Sequence, residues 1–274
     1  MIQSYRPETL KEALQIRNQI DCTVFAGGTD LYIRKRQWQG AERRFDNDLL
    51  FIHQLSELRK IEVSDEEIIL GACVTQSEIE GDAYLPEFLR MPYRLMGNPA
   101  IRNTATVGGN IVNAAQVADS LPVLFALDSQ VVLQSIHGER KMPTMDFVIG
   151  KYKTGIQTNE ILTHVMIPKK NWTDFYYRKI GSRKQNILSK LSVIVLLEKK
   201  NDDLTNLAIS IGCVNEKPIR DHEIEQGFLE SGAINQLIDQ LYDKMEGQND
   251  KRSSKAYREI TSLKLIKDYL EKNS

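Results

Sequence analysis

No two cysteines stand close enough to share a metal. Cys22, Cys73 and Cys213 are scattered and odd in number, and no C-x-x-C occurs, which excludes a zinc ribbon or an iron–sulfur cluster built by this chain. The pattern suits reduced core thiols rather than a disulfide framework. His53, His137, His164 and His222 make no H-E-x-x-H, so no metal site is expected. Neither sign of charge dominates: 36 Lys and Arg face 37 Asp and Glu, and the net charge of −1 gives no global pull toward nucleic acid or an anionic membrane. Apolar runs such as Leu121 to Leu127 are far shorter than the roughly 20 residues that span a bilayer. The opening M-I-Q-S-Y-R-P-E-T-L-K-E-A-L holds no apolar signal core, so a soluble, cytoplasmic protein is expected. G-x-G-x-x-G and G-x-x-x-x-G-K are both missing, which removes the doubly wound dinucleotide fingerprint and the P-loop. There is no triad-like grouping, internal repeat or low-complexity tract.

What is present is a globular composition, 41% hydrophobic over 274 residues, enough for a sizeable core and two domains. Apolar spacing after Pro7 predicts a helix through Leu10, Ala13, Leu14 and Arg17, with Thr9 near its start. Strands are expected at Cys22 to Ala26, Asp48 to Ile52, Ile61 to Val63, Ile68 to Ala72, Gln130 to Ser135 and Glu160 to Ile167. Leu31 to Gln37 reads as a short helix or an extended exit. Thr75 and Glu78 have capping-box spacing, and Pro86 to Met96 is helical in period until Asn98-Pro99 breaks it. Asp119 to Leu127 reads as a helix with Pro122 in its first turn. The last hundred residues change character. Strand candidates at Phe175 to Ile180, Leu191 to Glu198 and Leu207 to Val214 precede helical patterns at Glu223 to Met245 and Ser254 to Lys272, an α+β arrangement. The chain divides near Pro168 to Thr173.

Two segments carry the chemistry. In T-V-F-A-G-G-T-D-L, residues 23 to 31, an apolar strand ends in Gly27 and Gly28. Glycines there allow positive φ and leave amides uncovered, which suits a pyrophosphate or an ordinary strand–turn–helix. Thr29 adds a hydroxyl, and Asp30 is expected to cap backbone amides. In I-R-N-T-A-T-V-G-G-N-I-V-N-A-A-Q-V-A-D-S-L-P, from residue 101, Thr106, Asn110 and Asn113 offer short polar arms, and Asp119 can accept from ribityl or ribose hydroxyls. The bland reading is a structural loop with asparagine caps. Together the segments suggest one extended cofactor gripped from two sides. A third stretch, Y-Y-R-K-I-G-S-R-K at 176 to 184, puts Tyr177 and Lys179 on one strand face. Lys179 there could set positive charge beside an electron-accepting ring, or could simply protect a basic edge strand. The basic run Arg34, Lys35, Arg36 with Arg43 and Arg44 fits a solvated face or a partner or phosphate contact.

In that order, A-G-G-T-D-L, the long glycine–asparagine motif, Y-x-K-I-G-S-R and I-G-C-V-N-E-K-P-I-R at 211 to 220 resemble the FAD-binding medium subunit of molybdenum hydroxylases, of the xanthine dehydrogenase and carbon monoxide dehydrogenase type. The resemblance runs from Tyr5 to the C-terminus. It implies a PCMH-type FAD-binding domain over 1–170, in subdomains of about 1–55 and 56–170. A C-terminal α+β domain over 171–274, a three-stranded antiparallel sheet with helices, would follow. It places FAD against Ala26, Gly27, Gly28, Thr29, Asp30 and Leu31, and against Thr106, Gly109, Asn110, Asn113 and Asp119, with Lys179 near the isoalloxazine. Gln116 stands where many relatives have proline, Ala115 where many have serine, and Asn186 where an aspartate is frequent. The cysteine-rich insertion of some relatives is missing.

The implied activity is that of an FAD-dependent oxidoreductase subunit. It takes electrons from [2Fe–2S] centres of a small partner chain and passes them to NAD⁺ or another acceptor, while a molybdopterin-binding large subunit handles the organic substrate. The alternatives are a self-contained FAD-dependent oxidoreductase, or a non-catalytic assembly subunit that has lost flavin. No nucleic acid partner or membrane insertion is expected.

Overall fold

The computed structural model describes residues 2–36, 44–183 and 186–273. Gln37, Arg43 and Lys184, each within a stretch singled out above, lie outside the described residues. The fold is mixed α+β. A small parallel sheet comes first, with Asp48–Phe51 between Ser4–Tyr5 and Cys22–Phe25. Helix Leu10–Gln19 covers it. Thr9 caps that helix by accepting from the Glu12 amide, and Ala13 and Leu14 are its buried face. These join Leu50, Ile52 and Cys73 in a compact N-terminal core.

A five-stranded antiparallel sheet follows, in the order Ile61–Val63, Glu67–Gly71, Ile161–Pro168, Gln130–Ser135, Gly138–Pro143. The capping box at Thr75 and Glu78 is complete and starts helix Gln76–Gly81. Helix Ser120–Ala126 carries Pro122 in its first turn and is buried along its whole length.

The third sheet is antiparallel: Asp174–Ile180, Leu191–Lys200, Asp203–Gly212. Its central strand is buried continuously from Leu191 to Leu197, as expected for a strand covered on both faces. Tyr177, Ile194, Leu196 and Ala208 face the core of the five-stranded sheet and its helices, while Val193, Val195 and Ile209 face the C-terminal helices. Asn201 and Asp202, at φ 53° and 69°, make the tight turn between its last two strands.

The helical pattern read from Glu223 to Met245 is two helices, His222–Ser231 and Ile234–Asp243. Gly232 separates them at φ 66°, the left-handed cap that ends a helix. Helix Lys255–Asn273 is last. Among the described residues no helix is long and apolar enough to cross a membrane.

Candidate functional site

A cleft of about 650 Å³ opens between the parallel sheet and the five-stranded sheet, with the third sheet at one side. All the site residues named from the sequence line it: Ala26, Gly27, Gly28, Thr29, Asp30, Leu31, Thr106, Gly109, Asn110, Asn113, Asp119 and Lys179.

The first glycine turn leaves strand Cys22–Phe25 and enters the short helix Leu31–Arg34. A Cβ on Gly27 would lie 2.0 Å from the Thr104 carbonyl oxygen, so the two cofactor-type segments touch backbone to backbone here. Gly28 has φ +67°, and a Cβ on it would lie 2.2 Å from the Phe25 ring. A side chain at 28 therefore strikes the protein beneath the turn rather than filling the space above its amides. Asp30 departs from expectation as well. It stands at the helix N-cap position with φ −91° and ψ −40° and makes no capping hydrogen bond. Its Oδ2 is buried without a partner among the described residues.

The second segment is not a loop. Thr106 spends its hydroxyl as an N-cap, accepting from the Gly109 amide at 3.1 Å, and opens helix Val107–Asn113. The helix start is stitched to the neighbouring chain, with the Val107 amide donating to Val74 O at 3.0 Å and the Gly108 amide to Ala72 O at 2.9 Å. A Cβ on Gly108 would lie 2.6 Å from that of Ala72, whereas on Gly109 it would meet only Thr106 Oγ1. Gly108 thus serves packing, and Gly109 leaves the cleft surface bare. Asn110 and Asn113, three apart on the helix, share the cleft face. Asn110 Oδ1 accepts from the Ser120 hydroxyl, which directs its amide group.

Asp119 does not wait with free oxygens for hydroxyl groups. Its Oδ2 pairs with Lys179 Nζ at 2.7 Å, with the two side chains 3% and 7% exposed. Its other oxygen, Oδ1, accepts from the Ser189 hydroxyl. Burial pushes the Asp119 carboxyl up, against the pull of the Lys179 ammonium and the Ser189 hydroxyl. Lys179 also donates to Leu95 O at 2.9 Å. Tyr177, on the same strand face, is buried with its hydroxyl unpartnered among the described residues, and burial raises its pKa well above the usual value.

Sequence reasoning missed other parts of the cleft. Met96, Gly97 and Ile101 line it from the turn that Asn98-Pro99 marks, and Ile187 and Leu188 line it from the segment after the third sheet's first strand. Gly97, at φ +51° just before Asn98-Pro99, was the available signal. Leu188 is 57% exposed, and nothing local announces its place. Of the departures noted above, Gln116 donates to Asn215 O at 3.0 Å and so reaches the C-terminal part of the chain. Ala115 lines the cleft. Asn186 takes φ 49°, a conformation asparagine tolerates.

The arrangement fits a ligand with an anionic middle, hydroxyls and a flat apolar end. Bare main chain at Gly27, Gly28 and Gly109 allows close approach, short amides flank it, and Met96, Ile101 and Leu188 supply apolar wall. FAD has those parts. The description "FAD binding domain in molybdopterin dehydrogenase" matches residues 1–170, and the chain belongs to that PCMH-type family of medium FAD subunits. It is 30% identical to the nicotinate dehydrogenase FAD-subunit of Eubacterium barkeri, over 81% of this chain and 77% of that one. It is 26% identical to the glyceraldehyde dehydrogenase medium chain of Sulfolobus acidocaldarius, over 97% and 96%. A carbon monoxide dehydrogenase from Hydrogenophaga pseudoflava shares the fold at TM-score 0.88 and 21% identity, over 99% of this chain and 96% of that one. Quinoline 2-oxidoreductase from Pseudomonas putida 86 shares it at TM-score 0.86 and 21% identity, over 100% and 96%.

Proposed function

We propose that this chain carries FAD in the cleft and acts as the electron-transfer subunit of a molybdenum hydroxylase-type complex. The observation that carries this reading is the backbone contact of the Gly27 turn with Thr104. It sets both glycine segments on one cleft rather than on separate surfaces. Bound FAD would supply a junction between one-electron [2Fe–2S] donors on a partner chain and a two-electron acceptor such as NAD⁺.

This chain's own residues bind and orient. Main-chain amides of Gly27 to Asp30 receive the diphosphate, and the amides of Asn110 and Asn113 hold hydroxyl groups of the linking chain. Lys179, paired with Asp119, sets the ammonium end of a buried ion pair at the cleft wall, where its orientation would favour negative charge arriving on a bound ring. Leu188 and Ile101 exclude water from the apolar end. A molybdopterin-binding large subunit and a [2Fe–2S] small subunit complete the assembly. The nicotinate dehydrogenase and glyceraldehyde dehydrogenase relatives leave the substrate class open, since it belongs to the large chain.

The test is the flavin content of the purified chain. The expected result is a yellow protein with close to one FAD per chain, lost in Gly28→Val, which must adopt positive φ against the Phe25 ring. A colourless, folded protein that takes up no FAD on titration overturns the reading.

A further inference from the structure

The basic run at 34 to 36 splits in the structure. Lys35 pairs with Asp46, and Arg36 is exposed. Arg34 alone of the three lines the cleft. It belongs to the same rigid turn as the glycine loop, its amide donating to Asp30 O at 3.0 Å and that of Tyr32 to Gly28 O at 2.9 Å.

Among the described residues, the cations lining the cleft are Arg17, Arg34 and Lys179. Lys179 is committed to Asp119. Arg17 donates to the carbonyl oxygens of Cys22 and Glu160. Among the described residues Arg34 meets no carboxylate. Its Nη1 donates to Asn113 Oδ1 at 3.1 Å, and its guanidinium carbon lies 4.4 Å from the centre of the Tyr152 ring. Two carboxylates, Asp30 and Asp119, line the same cleft, so an entering diphosphate needs a positive charge beyond the Asp119–Lys179 pair.

Tyr152 is held for this contact at a cost. It has φ +58°, rare and strained for a bulky residue, and its amide donates to Ala114 O at 2.9 Å. Ala114 itself, at φ 44°, caps the helix that carries Asn110 and Asn113. The main chain at Tyr152 is thus tied to the end of the second segment, and the guanidinium of the first segment lies over its ring. Lys151, 5.8 Å from the same ring, does not line the cleft.

We propose that Arg34 is the counter-charge for the diphosphate of the cofactor, and that Tyr152 is the positioning residue that holds its guanidinium at the cleft. This rests on the FAD reading above and adds to it the residue that makes the chain prefer a diphosphate-bearing flavin. Arg34 joins the two segments through Asn113. Its partners are neutral, as those of Arg17 are, but Arg34 stands on the glycine turn itself, where the diphosphate would lie.

FAD titrations of the full chain at several salt concentrations test this. The unaltered chain should bind FAD more weakly as salt rises, because an exposed charge is screened. Arg34→Gln, which keeps a donor for Asn113 and loses the charge, should weaken FAD by between about tenfold and a hundredfold and flatten the salt dependence. Arg34→Lys should keep the salt dependence. Tyr152→Leu should weaken FAD in the unaltered chain and add little in an Arg34→Gln background. Unchanged affinity in Arg34→Gln, or a loss with unchanged salt dependence, overturns the counter-charge role. Additive effects of the Arg34 and Tyr152 changes overturn the positioning role. An unaltered chain that binds no FAD instead sinks the functional reading on which both rest.

Discussion

Gly27 and Gly28 are neighbours constrained by different things. Gly27 is fixed by the Thr104 carbonyl against it, Gly28 by its positive φ and the Phe25 ring. Gly27→Ala should therefore push the two cofactor segments apart, costing about 1–3 kcal/mol as overpacking does, together with FAD affinity. Denaturant unfolding with and without FAD checks it: the stability gain on adding FAD should shrink along with the baseline. The Asp119–Lys179 pair carries a second residue-scale expectation. Removing one partner leaves a charge buried alone, at about 3–5 kcal/mol, whereas removing both is far milder. Lys179→Met should thus destabilise strongly, and Asp119→Asn with Lys179→Met should recover most of the loss in urea unfolding. For that reason the effect of Lys179 on flavin midpoint potential is best read in the double variant against Asp119→Asn. A lower potential without the lysine is expected. The sequence shows both residues as cofactor candidates. It does not show that they hold each other, because residues sixty apart give no pairing signal without the register of the third sheet.

At the scale of elements, the Thr106 cap decides whether the glycine-rich segment is helical. Thr106→Val removes the acceptor of the Gly109 amide and should cost about 1 kcal/mol of stability, with faster hydrogen exchange at Gly108 to Asn110. The turn before the central strand of the five-stranded sheet is tied differently. Glu160 accepts from Arg140 Nε at 2.6 Å and Nη2 at 2.8 Å, and from the Gln157 amide at 2.8 Å. The Arg140 hydrogen bond holds the Glu160 carboxyl below the usual carboxylate range, despite burial. A lowered pKa in the folded state means stability that is present above the unfolded value of about 4.3 and is lost as pH falls through the folded one. Glu160→Gln should cost about 1–2 kcal/mol at neutral pH, discounted for the half-exposed arginine, and should make stability less steep below pH 5. Thermal unfolding across pH checks both. Elements were legible where apolar period and caps agreed, as at Thr9, Thr75 and the strand Leu191–Lys200. Helix Val107–Asn113 was hidden because two glycines and two asparagines argue against helix locally, and tertiary hydrogen bonds to Ala72 and Val74 override them. The break at Gly232 was hidden because apolar spacing continues on both sides of it.

At the scale of the whole molecule, the third sheet borders the cleft through Lys179, and Arg220 fastens it to the rest of the chain. Its side chain is 2% exposed, pairing with Asp128 Oδ1 at 2.7 Å and Glu225 Oε1 at 3.1 Å. It also donates to the Phe125 carbonyl, at the end of the buried helix Ser120–Ala126. Asp128 collects Lys170 and the His222 ring as well, each at 2.8 Å, so the segment joining the sheets is tied to the same carboxylate. Burial pushes the Asp128 carboxyl up, but Arg220 with Lys170 and His222 outweighs it and leaves it below the usual range. Lys179 and Leu188 enter the cleft from this side of the molecule, so loosening the fastener should be felt there without touching any cleft residue. Arg220→Met strands Glu225 in the core, with the Ile209 amide alone left on it among the described residues, and should cost about 3–5 kcal/mol. Arg220→Lys keeps the charge but loses the two-sided fork and should fall between. Hydrogen exchange separates this from a general loss of stability: protection should drop first in Asp174–Ile180 and at Tyr177 and Ile194, where the sheet meets the core of the five-stranded sheet, while the parallel sheet at Cys22–Phe25 keeps its protection. FAD affinity should fall in step with that local loss. A uniform decrease across the chain, or an unchanged FAD dissociation constant in a visibly loosened sheet, would show that the third sheet borders the cleft without help from Arg220.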